Sequence, residues 1–144
     1  MYKRQLQYLV DRPFIYFPDA EQINGGGTRF PKDNAFKGSQ YYLIDGHGNS
    51  TTGHFMAMVK KMNLGVIIGE ELGSNQFCTA DQIIYKLQNT RVEFYSANNQ
   101  NRVSVTSLPD ERGILPDYEV NQSIDDYLDK VDVVLGHAIR LINQ

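Results

Sequence analysis

The residues best suited to carry chemistry lie in the loop formed by residues 46–50, GHGNS, which ends in Ser50. A serine hydroxyl can attack a carbonyl when a base takes its proton and nearby N–H groups stabilise the developing oxyanion. Ser50 directly precedes a predicted helix, and the unpaired N–H groups and the dipole of a helix amino terminus favour negative charge. The loop therefore has the composition of a serine nucleophile site. Serine, like Asn49 beside it, is also a common N-cap, so a purely structural role fits the same residue.

The segment around this loop, residues 41–73, predicts a strand, a loop, a helix and a second strand. A β-prone run at 41–44 ends at the glycine-punctuated loop. Residues 64–68 form a second apolar run, which is typical of a strand covered on both faces. Between them, apolar side chains recur at spacings of three and four, which predicts an amphipathic helix that ends near Asn63. These side chains are Phe55, Met58, Val59 and Met62.

Two strands joined by a helix lie parallel in one sheet, and this connection fixes where the serine stands. In open α/β sheets, ligands collect beyond the carboxyl ends of the strands. Ser50 follows the first strand, so we expect it at that edge, with the helix amino terminus behind it. The pattern thus predicts an α/β fold with a reactive or ligand-binding loop at the strand ends.

These residues resemble the serine-nucleophile segment of the carboxyl-terminal processing and tricorn-core peptidases, in the stretch LIDGHGNSTTGHFMAMVKKMNLGVIIGEELGSN. RGILPDY, at residues 112–118, is similar to the Gly-Ile-x-Pro-Asp segment of that family, and DDYLDKVDVVLGHAIRLI resembles its closing helix. The resemblance covers roughly residues 13–142 and is greatest to bacterial members that read Ser-Thr-Thr-Gly-His-Phe at the nucleophile. It implies an α/β, ClpP/crotonase-like fold, which is a layered sheet with crossover helices and a small antiparallel addition.

The resemblance also implies a set of site residues. Ser50 matches the nucleophile, and the backbone N–H of Thr51 is the expected oxyanion donor. Asp110, or Glu111 in its place, matches an acid that orients catalytic groups, although two acids in a turn fit the same pattern. Three further residues are expected to line the cleft: Gly48, Asn49 and His54.

The general base is not evident in the sequence. In the carboxyl-terminal processing branch, a lysine shortly after the Gly-Glu strand serves as base, but Asn75 holds that place here. The tricorn-like arrangement, in which a histidine from earlier in the chain is the base, fits better. His54 shares a helical face with Ser50, yet helix neighbours seldom direct an imidazole at the first turn. We therefore expect His54 to line or support the site.

The function implied by the resemblance is that of a bacterial serine-type endopeptidase, similar to tail-specific proteases. It would hydrolyse polypeptide substrates through Ser50, with no cofactor and no metal. A periplasmic or cell-surface location is implied in the same way. A different class of function fits the same fold, namely a non-catalytic module that binds an apolar ligand or a peptide in the same cleft. A histidine at the base position of the full gene would favour the enzyme.

The amino-terminal residues carry expectations about completeness. MYKRQ, residues 1–5, matches the translation of a library-preparation adaptor read from a GTG start, so we expect it to be non-native, with an ordinary basic terminus as the alternative. Residues 6–144 are expected to be the carboxyl-terminal part of one serine peptidase catalytic domain. Family members carry, before this point, a strand that ends in Asp-x-Arg-x-Asn-x-Gly-Gly. That missing amino-terminal part of the same chain would be a partner and would supply the base, so the chain alone is expected to be inactive and to leave the strand at 41–44 with an unpaired edge.

Composition excludes several classes of protein. The chain has 144 residues, of which 41% are hydrophobic, enough for one domain with a buried core. A net charge of −3 with scattered basic residues offers no footprint for nucleic acid. No apolar run approaches the roughly 18 to 20 residues that span a bilayer, so no membrane-spanning segment is expected. The lone Cys78 excludes an internal disulfide framework.

Local apolar runs and turn residues predict shorter elements on both sides of the central unit: a helix at 5–10, a strand at 14–17, a loop at 18–39, paired strands at 82–86 and 92–96, a strand at 103–106 and a helix at 123–142. The first helix is expected to pack against the absent part of the domain. Ile84 and Phe94 are expected to be buried in the hairpin. The run of glycines at 25–27 predicts a flexible surface turn, and Ser123 is the expected cap of the last helix.

Overall fold

A three-stranded parallel sheet and one long helix form the centre of the fold. The computed structural model describes residues 2–18 and 26–144. In chain order their elements are α1 (Tyr2–Leu6), β1 (Phe14–Ile15), β2 (Thr28–Arg29), β3 (Tyr41–Ile44), α2 (Thr51–Met62), β4 (Val66–Gly69), β5 (Phe77–Lys86), β6 (Glu93–Arg102), β7 (Tyr118–Glu119), α3 (Ile124–Leu128) and α4 (Val133–Ile142). This mixture of helices and strands confirms the predicted α/β class.

The predicted unit of strand, helix and strand is confirmed. β3 and β4 pair in parallel, and β7 pairs in parallel with the other edge of β4. α2 joins β3 to β4 and ends at Asn63, whose left-handed backbone (φ 52°) turns the chain out of the helix. The loop that holds Ser50 therefore leaves the carboxyl end of β3.

The core surrounds α2, which is buried over most of its circumference instead of along one stripe. The amino-terminal segment and the strand β5 both contact this helix, and buried apolar side chains from other segments join them. The buried apolar cluster contains Leu6, Val10, Phe14, Tyr16, Phe17, Ile44, Met56, Ala57, Met58, Val59, Met62, Ile67, Leu72, Val103, Val105 and Ile114. The helix that begins at Ser50 is therefore held rigidly in the centre of the domain.

The amino-terminal segment differs from its prediction. The helix lies at Tyr2–Leu6 instead of 5–10, and Leu6 and Val10 are buried in the core against α2 instead of facing an absent part. The strand predicted at 14–17 pairs only at Phe14–Ile15, because the next two aromatic side chains turn into the core. The predicted loop at 18–39 contains β2, which pairs with β1. Of the predicted glycine turn, residue 25 lies outside the described residues.

The predicted hairpin is longer than expected and its apolar side chains are exposed. β5 and β6 pair antiparallel over ten residues each. Ile84 and Phe94, predicted to be buried, are 58% and 47% exposed. The reason is that the hairpin is a two-stranded sheet whose outer half is covered by no other described element, so neither face is enclosed.

Two predictions for the second half of the chain are wrong. Residues 103–106 form no strand, since Val103 and Val105 both turn into the core. The predicted helix at 123–142 is two helices, because Lys130 adopts φ 58° and Asp132 caps a new helix by accepting from the Leu135 N–H (2.8 Å). Ser123 does cap the first of them, α3.

Two further observations concern surfaces. Among the described residues, the outer edge of β3 has no strand partner, and Leu43 on that strand is 44% exposed. No helix in residues 2–18 or 26–144 is long and apolar enough to cross a membrane.

Candidate active site

A tight turn after β3 sets the backbone of the Ser50 loop. The Asp45 carboxylate accepts from the His47 N–H (2.9 Å), and the Asp45 carbonyl accepts from the Gly48 N–H (3.3 Å). The Ser50 carbonyl then accepts from the Gly53 N–H (3.0 Å), which starts α2. The turn therefore delivers Ser50 to the junction of β3 and α2.

Ser50 has the position of an N-cap but not its geometry. Its φ of 55° and ψ of −127° lie in a region that residues other than glycine rarely adopt, at a cost on the order of 1–3 kcal/mol. An N-cap normally has extended backbone, which aims its side chain at the second or third N–H group of the helix. Ser50 makes no side-chain capping bond and is exposed at a cleft. Its hydroxyl is thus free of the helix that it precedes.

The Thr51 N–H begins α2 with no hydrogen-bond acceptor among the described residues. The next two N–H groups are bonded, Thr52 to the Asn49 carbonyl (3.1 Å) and Gly53 to the Ser50 carbonyl (3.0 Å). An unpaired N–H beside a serine hydroxyl, at the positive end of a helix dipole, can stabilise a developing negative charge.

The cleft beside Ser50 has a volume of about 640 Å³ and lies between three segments of the chain. One is the Ser50 loop, the second runs from the end of β4 into β5, and the third precedes Ile114. Their side chains and backbone line it at Asn49, Ser50, Gly73, Ser74, Asn75, Phe77, Cys78, Thr79, Gln82, Asp110, Glu111, Arg112 and Gly113. Close backbone approach holds two of the segments together, because a Cβ at Gly73 would lie 2.2 Å from the Gly46 carbonyl oxygen.

The thiol of Cys78, on β5, is a reactive side chain in the same cleft as Ser50. The start of β5 therefore forms part of the wall of the cleft that holds Ser50. Burial raises the pKa of the Cys78 thiol, and the hydrogen bond with the Ser50 hydroxyl acts in the opposite direction. The thiol is therefore protonated near neutral pH and does not act as a base for Ser50.

Asp110 is fixed at the opposite wall of the cleft. Arg102 at the end of β6 and the buried amide of Gln76 both donate to its carboxylate. These bonds, Arg102 first, hold the pKa of Asp110 below its usual range. The carboxylate is therefore ionised and held by two donors.

A second ion pair fixes the segment that carries Asp110. Glu71 accepts from Arg112 through Nη2 (2.7 Å) and Nε (3.3 Å), and also from the Gly113 N–H (2.7 Å). The Arg112 bond and then the Gly113 bond lower the pKa of Glu71. This fork joins the loop after β4 to residues 110–113, so the two walls of the cleft keep their separation.

The structure brings only some of the predicted site residues to the cleft. Ser50, Asn49 and Asp110 line it, as does Glu111, whereas Gly48, Thr51 and His54 do not. The Gly48 carbonyl accepts from the hydroxyl of Ser74 (3.1 Å), which does line the cleft.

His54 is only 1% exposed and is absent from the lining of the cleft, so the expectation that it lines the cleft is wrong. Its Nε2 lies 3.0 Å from the Asn101 carbonyl oxygen, and its ring meets Phe17 edge-on at 6.0 Å between centroids. Burial lowers the pKa of His54, and the Asn101 contact partly opposes that effect. The Asn101 contact joins α2 to β6.

Several cleft residues escaped the sequence analysis. Cys78, Thr79 and Gln82 line the wall because β5 begins at Phe77, five residues earlier than predicted. A signal for this was present, since Phe77 and Cys78 are β-prone and follow the apolar strand by a short loop. Gln76 and Arg102 could not be found, since tertiary contacts alone bring them to Asp110.

Comparison with known proteins relates the fold to peptidases. No protein-family model matches the chain, and no curated protein matches it. Among solved structures it is similar to a candidate peptidase from Parabacteroides merdae ATCC 43184, with a TM-score of 0.68 at 18% identity. It is also similar to the tricorn protease (TM-score 0.57, 16% identity) and to the photosystem II D1 C-terminal processing protease (TM-score 0.53, 15% identity).

The coverage of these matches is unequal. They take in 97%, 98% and 83% of this chain, but 46%, 13% and 30% of the three proteins, in the same order. The chain thus spans less than half the length of each of these proteins. At such identities the likeness shows the fold, and the chain therefore has the fold of part of a peptidase-like domain.

Proposed function

We propose that this chain is part of a bacterial serine-type endopeptidase of the carboxyl-terminal processing and tricorn-core kind, with a ClpP/crotonase-like fold. The Ser50 oxygen bonds to the carbonyl carbon of a polypeptide substrate while a base takes its proton. The Thr51 N–H donates to the resulting oxyanion. As the tetrahedral intermediate collapses, the base gives its proton to the leaving amine, and water then hydrolyses the acyl ester on Ser50 to release the acid and restore the serine. Asp110 orients catalytic groups, and the whole protein acts in the periplasm or at the cell surface.

The observation that carries this proposal is the backbone of Ser50. A sharp, strained turn between a strand and a helix is how α/β hydrolases expose a nucleophilic serine. Ser50 sits on such a turn with φ 55°, directs no bond at its own helix and stands beside the unpaired Thr51 N–H. A residue that only capped α2 would need neither the strain nor the cleft.

The base is proposed to lie outside the described residues. No lysine or histidine is among the described residues that line the cleft. Asn75, at the place of the family lysine, uses its side-chain amide to bind the carbonyls of Asp110 (2.7 Å) and Arg112 (3.1 Å). The 144-residue chain alone should therefore show negligible turnover, since a serine without a base is a weak nucleophile.

The lack of a lysine or histidine among the described residues that line the cleft favours a second candidate function. A cleft with a fixed carboxylate and a free N–H but no base suits a module that binds a peptide or an apolar ligand without cleaving it. Hydrolysis and binding must therefore be measured separately.

The test compares casein hydrolysis by the intact gene product, by its Ser50→Ala variant and by the 144-residue chain. We expect the intact product to cleave casein, and Ser50→Ala to lower the rate by roughly 10³-fold or more. Ser74→Ala is the matched control, because Ser74 lines the same cleft but its hydroxyl only supports the Gly48 carbonyl. That variant should lose no more than roughly tenfold. Full activity in the intact Ser50→Ala protein would refute the peptidase assignment, and casein binding without hydrolysis would establish the binding module.

A further inference from the structure

The edge of β5 that faces away from β6 is a free strand edge beside Ser50. β5 and β6 form a two-stranded sheet, so in the described part of the chain no third strand covers this edge. Its first residues, Phe77, Cys78 and Thr79, line the cleft. Ser50 lines the same cleft, so this edge and the proposed nucleophile face one cavity.

The hydrogen-bond pattern of the hairpin shows which backbone groups this edge presents. Residues 76 and 103 form a bonded pair, with the Val103 N–H donating to the Gln76 carbonyl (2.9 Å). In an antiparallel ladder, alternate residues face the partner strand. Phe77 and Thr79 therefore direct their N–H and C=O groups away from β6.

Two side-chain contacts agree with this direction. The Phe77 N–H is bonded to the Asn75 side chain (3.2 Å), which lies at the cleft and not on β6. Across the ladder, Gln100 is paired with Thr79, and its N–H is bonded to the Asn99 side chain (2.8 Å) instead of to β5. The Thr79 N–H and C=O are thus the first backbone pair on this edge that is left open to the cleft.

We infer that this edge binds an extended polypeptide, which adds to β5 as a third strand through the N–H and C=O of Thr79. The inference rests on the proposed function, because it names how the substrate of that same cleft is held. An exposed strand edge matches the repeating donors and acceptors of an extended chain and of little else. A strand added here lies in the cleft that Ser50 also lines.

The mode of binding predicts that recognition is by backbone more than by side chain. Bonded residues of an extended chain recur about every 6.6–6.8 Å, whatever their side chains. Unfolded polypeptides of many sequences should therefore bind, and folded proteins should not. Cleavage at several sites in one unfolded substrate is the expected consequence.

The test removes the Thr79 donor in the 144-residue chain, with Ser50→Ala present so that no hydrolysis can occur. Thr79→Pro deletes one N–H and places a ring on the edge, while the ladder to β6 keeps all its bonds. Binding of fluorescein-labelled casein, measured by fluorescence anisotropy, should weaken roughly tenfold or more.

The matched control is Ile84→Pro. Asp81 has φ 55° and no partner in the register, so it interrupts the alternation of the ladder. Beyond it, the bond from the Leu87 N–H to the Val92 carbonyl (2.9 Å) directs the Ile84 N–H to the same edge as Thr79, but Ile84 does not line the cleft. This control should bind casein as the parent does.

A second measurement does not depend on a variant. Hydrogen exchange of the peptide that spans residues 77–82 should slow when unlabelled casein is bound, because the Thr79 N–H then acquires an acceptor. Equal binding by Thr79→Pro and the parent, or unchanged exchange with casein at saturation, would overturn the inference. Unfolding of Thr79→Pro would also overturn the inference, since it would mean that the Thr79 N–H belongs to the ladder with β6. The same holds if the Ser50→Ala parent does not bind casein.

The two proposals fail in different ways. Loss of casein binding in Thr79→Pro supports the strand edge even if the intact gene product never hydrolyses casein. Ser50-dependent hydrolysis with an unchanged KM in the intact Thr79→Pro protein supports the peptidase and removes the strand edge.

Discussion

Gly53, in the first turn of α2, allows the helix to touch the cleft wall, and its replacement by alanine is the sharpest test of that contact. A Cβ at this position would lie 2.3 Å from the Asn75 carbonyl oxygen, 2.6 Å from the Asn75 nitrogen and 2.7 Å from the Ser74 hydroxyl oxygen. Ordinary contacts are about 3.5–4.0 Å, so backbone must move by about 1 Å. Two of the three atoms belong to backbone, which cannot rotate away.

The expected magnitude follows from two opposing terms. Overpacking of this kind costs about 1–3 kcal/mol. Alanine in a helix interior returns about 0.5–1 kcal/mol relative to glycine. Because two of the three contacted atoms are backbone, the overpacking cost should be about 2–3 kcal/mol, the upper part of its range. We therefore expect Gly53→Ala to lower the free energy of unfolding by about 1–2.5 kcal/mol, which is about 2–10 °C in Tm for a domain of this size.

The assay is thermal unfolding followed by circular dichroism, with urea denaturation as a second measure of stability. Gly136→Ala is the matched control, because a Cβ there meets only the Arg140 side chain, at an ordinary 3.7 Å. It should raise the Tm by a few degrees, through helix propensity alone. If Gly53→Ala is as stable as the parent, or is stabilised like Gly136→Ala, the close approach of α2 to residues 74 and 75 is wrong.

Two further predictions concern titration and the cleft wall. Burial lowers the pKa of His54 below the value of about 6.5 that it has in an unfolded chain. Above about pH 6.5 the imidazole is neutral in both states, so it takes nothing from the free energy of unfolding. From about pH 6.5 down to the folded-state pKa, the free energy of unfolding should fall by up to about 1.4 kcal/mol per pH unit, because only the unfolded chain takes up the proton. Urea unfolding between pH 7.5 and 5 should show this slope in the parent and in His47→Gln, which removes an exposed imidazole, but not in His54→Gln. Glu71→Gln should speed amide exchange at Gly113, since it weakens the acceptor of that N–H, whereas Glu93→Gln, which loses only an exposed bond to Lys86, should not. Unchanged exchange at Gly113 would mean that Glu71 does not hold the wall.

The central unit could be predicted from sequence because its signals are local and agree with one another. The apolar run at 64–68 marks a covered strand, the spacing of Phe55 to Met62 marks a helix, and Asn63 favours the left-handed backbone that ends it. The position of Ser50 follows from the order of these elements. Its backbone conformation does not, since positive φ in a serine is set by the surrounding structure and has no local signature.

The failures share one cause, which is that local patterns do not say what covers a segment. Val103 and Val105 alternate like a strand but serve as anchors of an irregular segment in the core. Ile84 and Phe94 follow the alternation of a strand face that is buried, but no other described layer covers the outer half of the hairpin and both side chains are exposed. The break before Asp132 was readable in part, because an aspartate within a helical pattern is also a possible N-cap.

The most direct test of the central claim is to find which residue an active-site phosphonofluoridate labels in the intact gene product. Such a probe forms a covalent adduct with a serine that a base has activated, and mass spectrometry of the digested protein locates it. The account predicts an adduct on Ser50 that is absent from Ser50→Ala and retained in Ser74→Ala. An adduct on another residue of a protein that hydrolyses casein, with Ser50 unmodified, would contradict it.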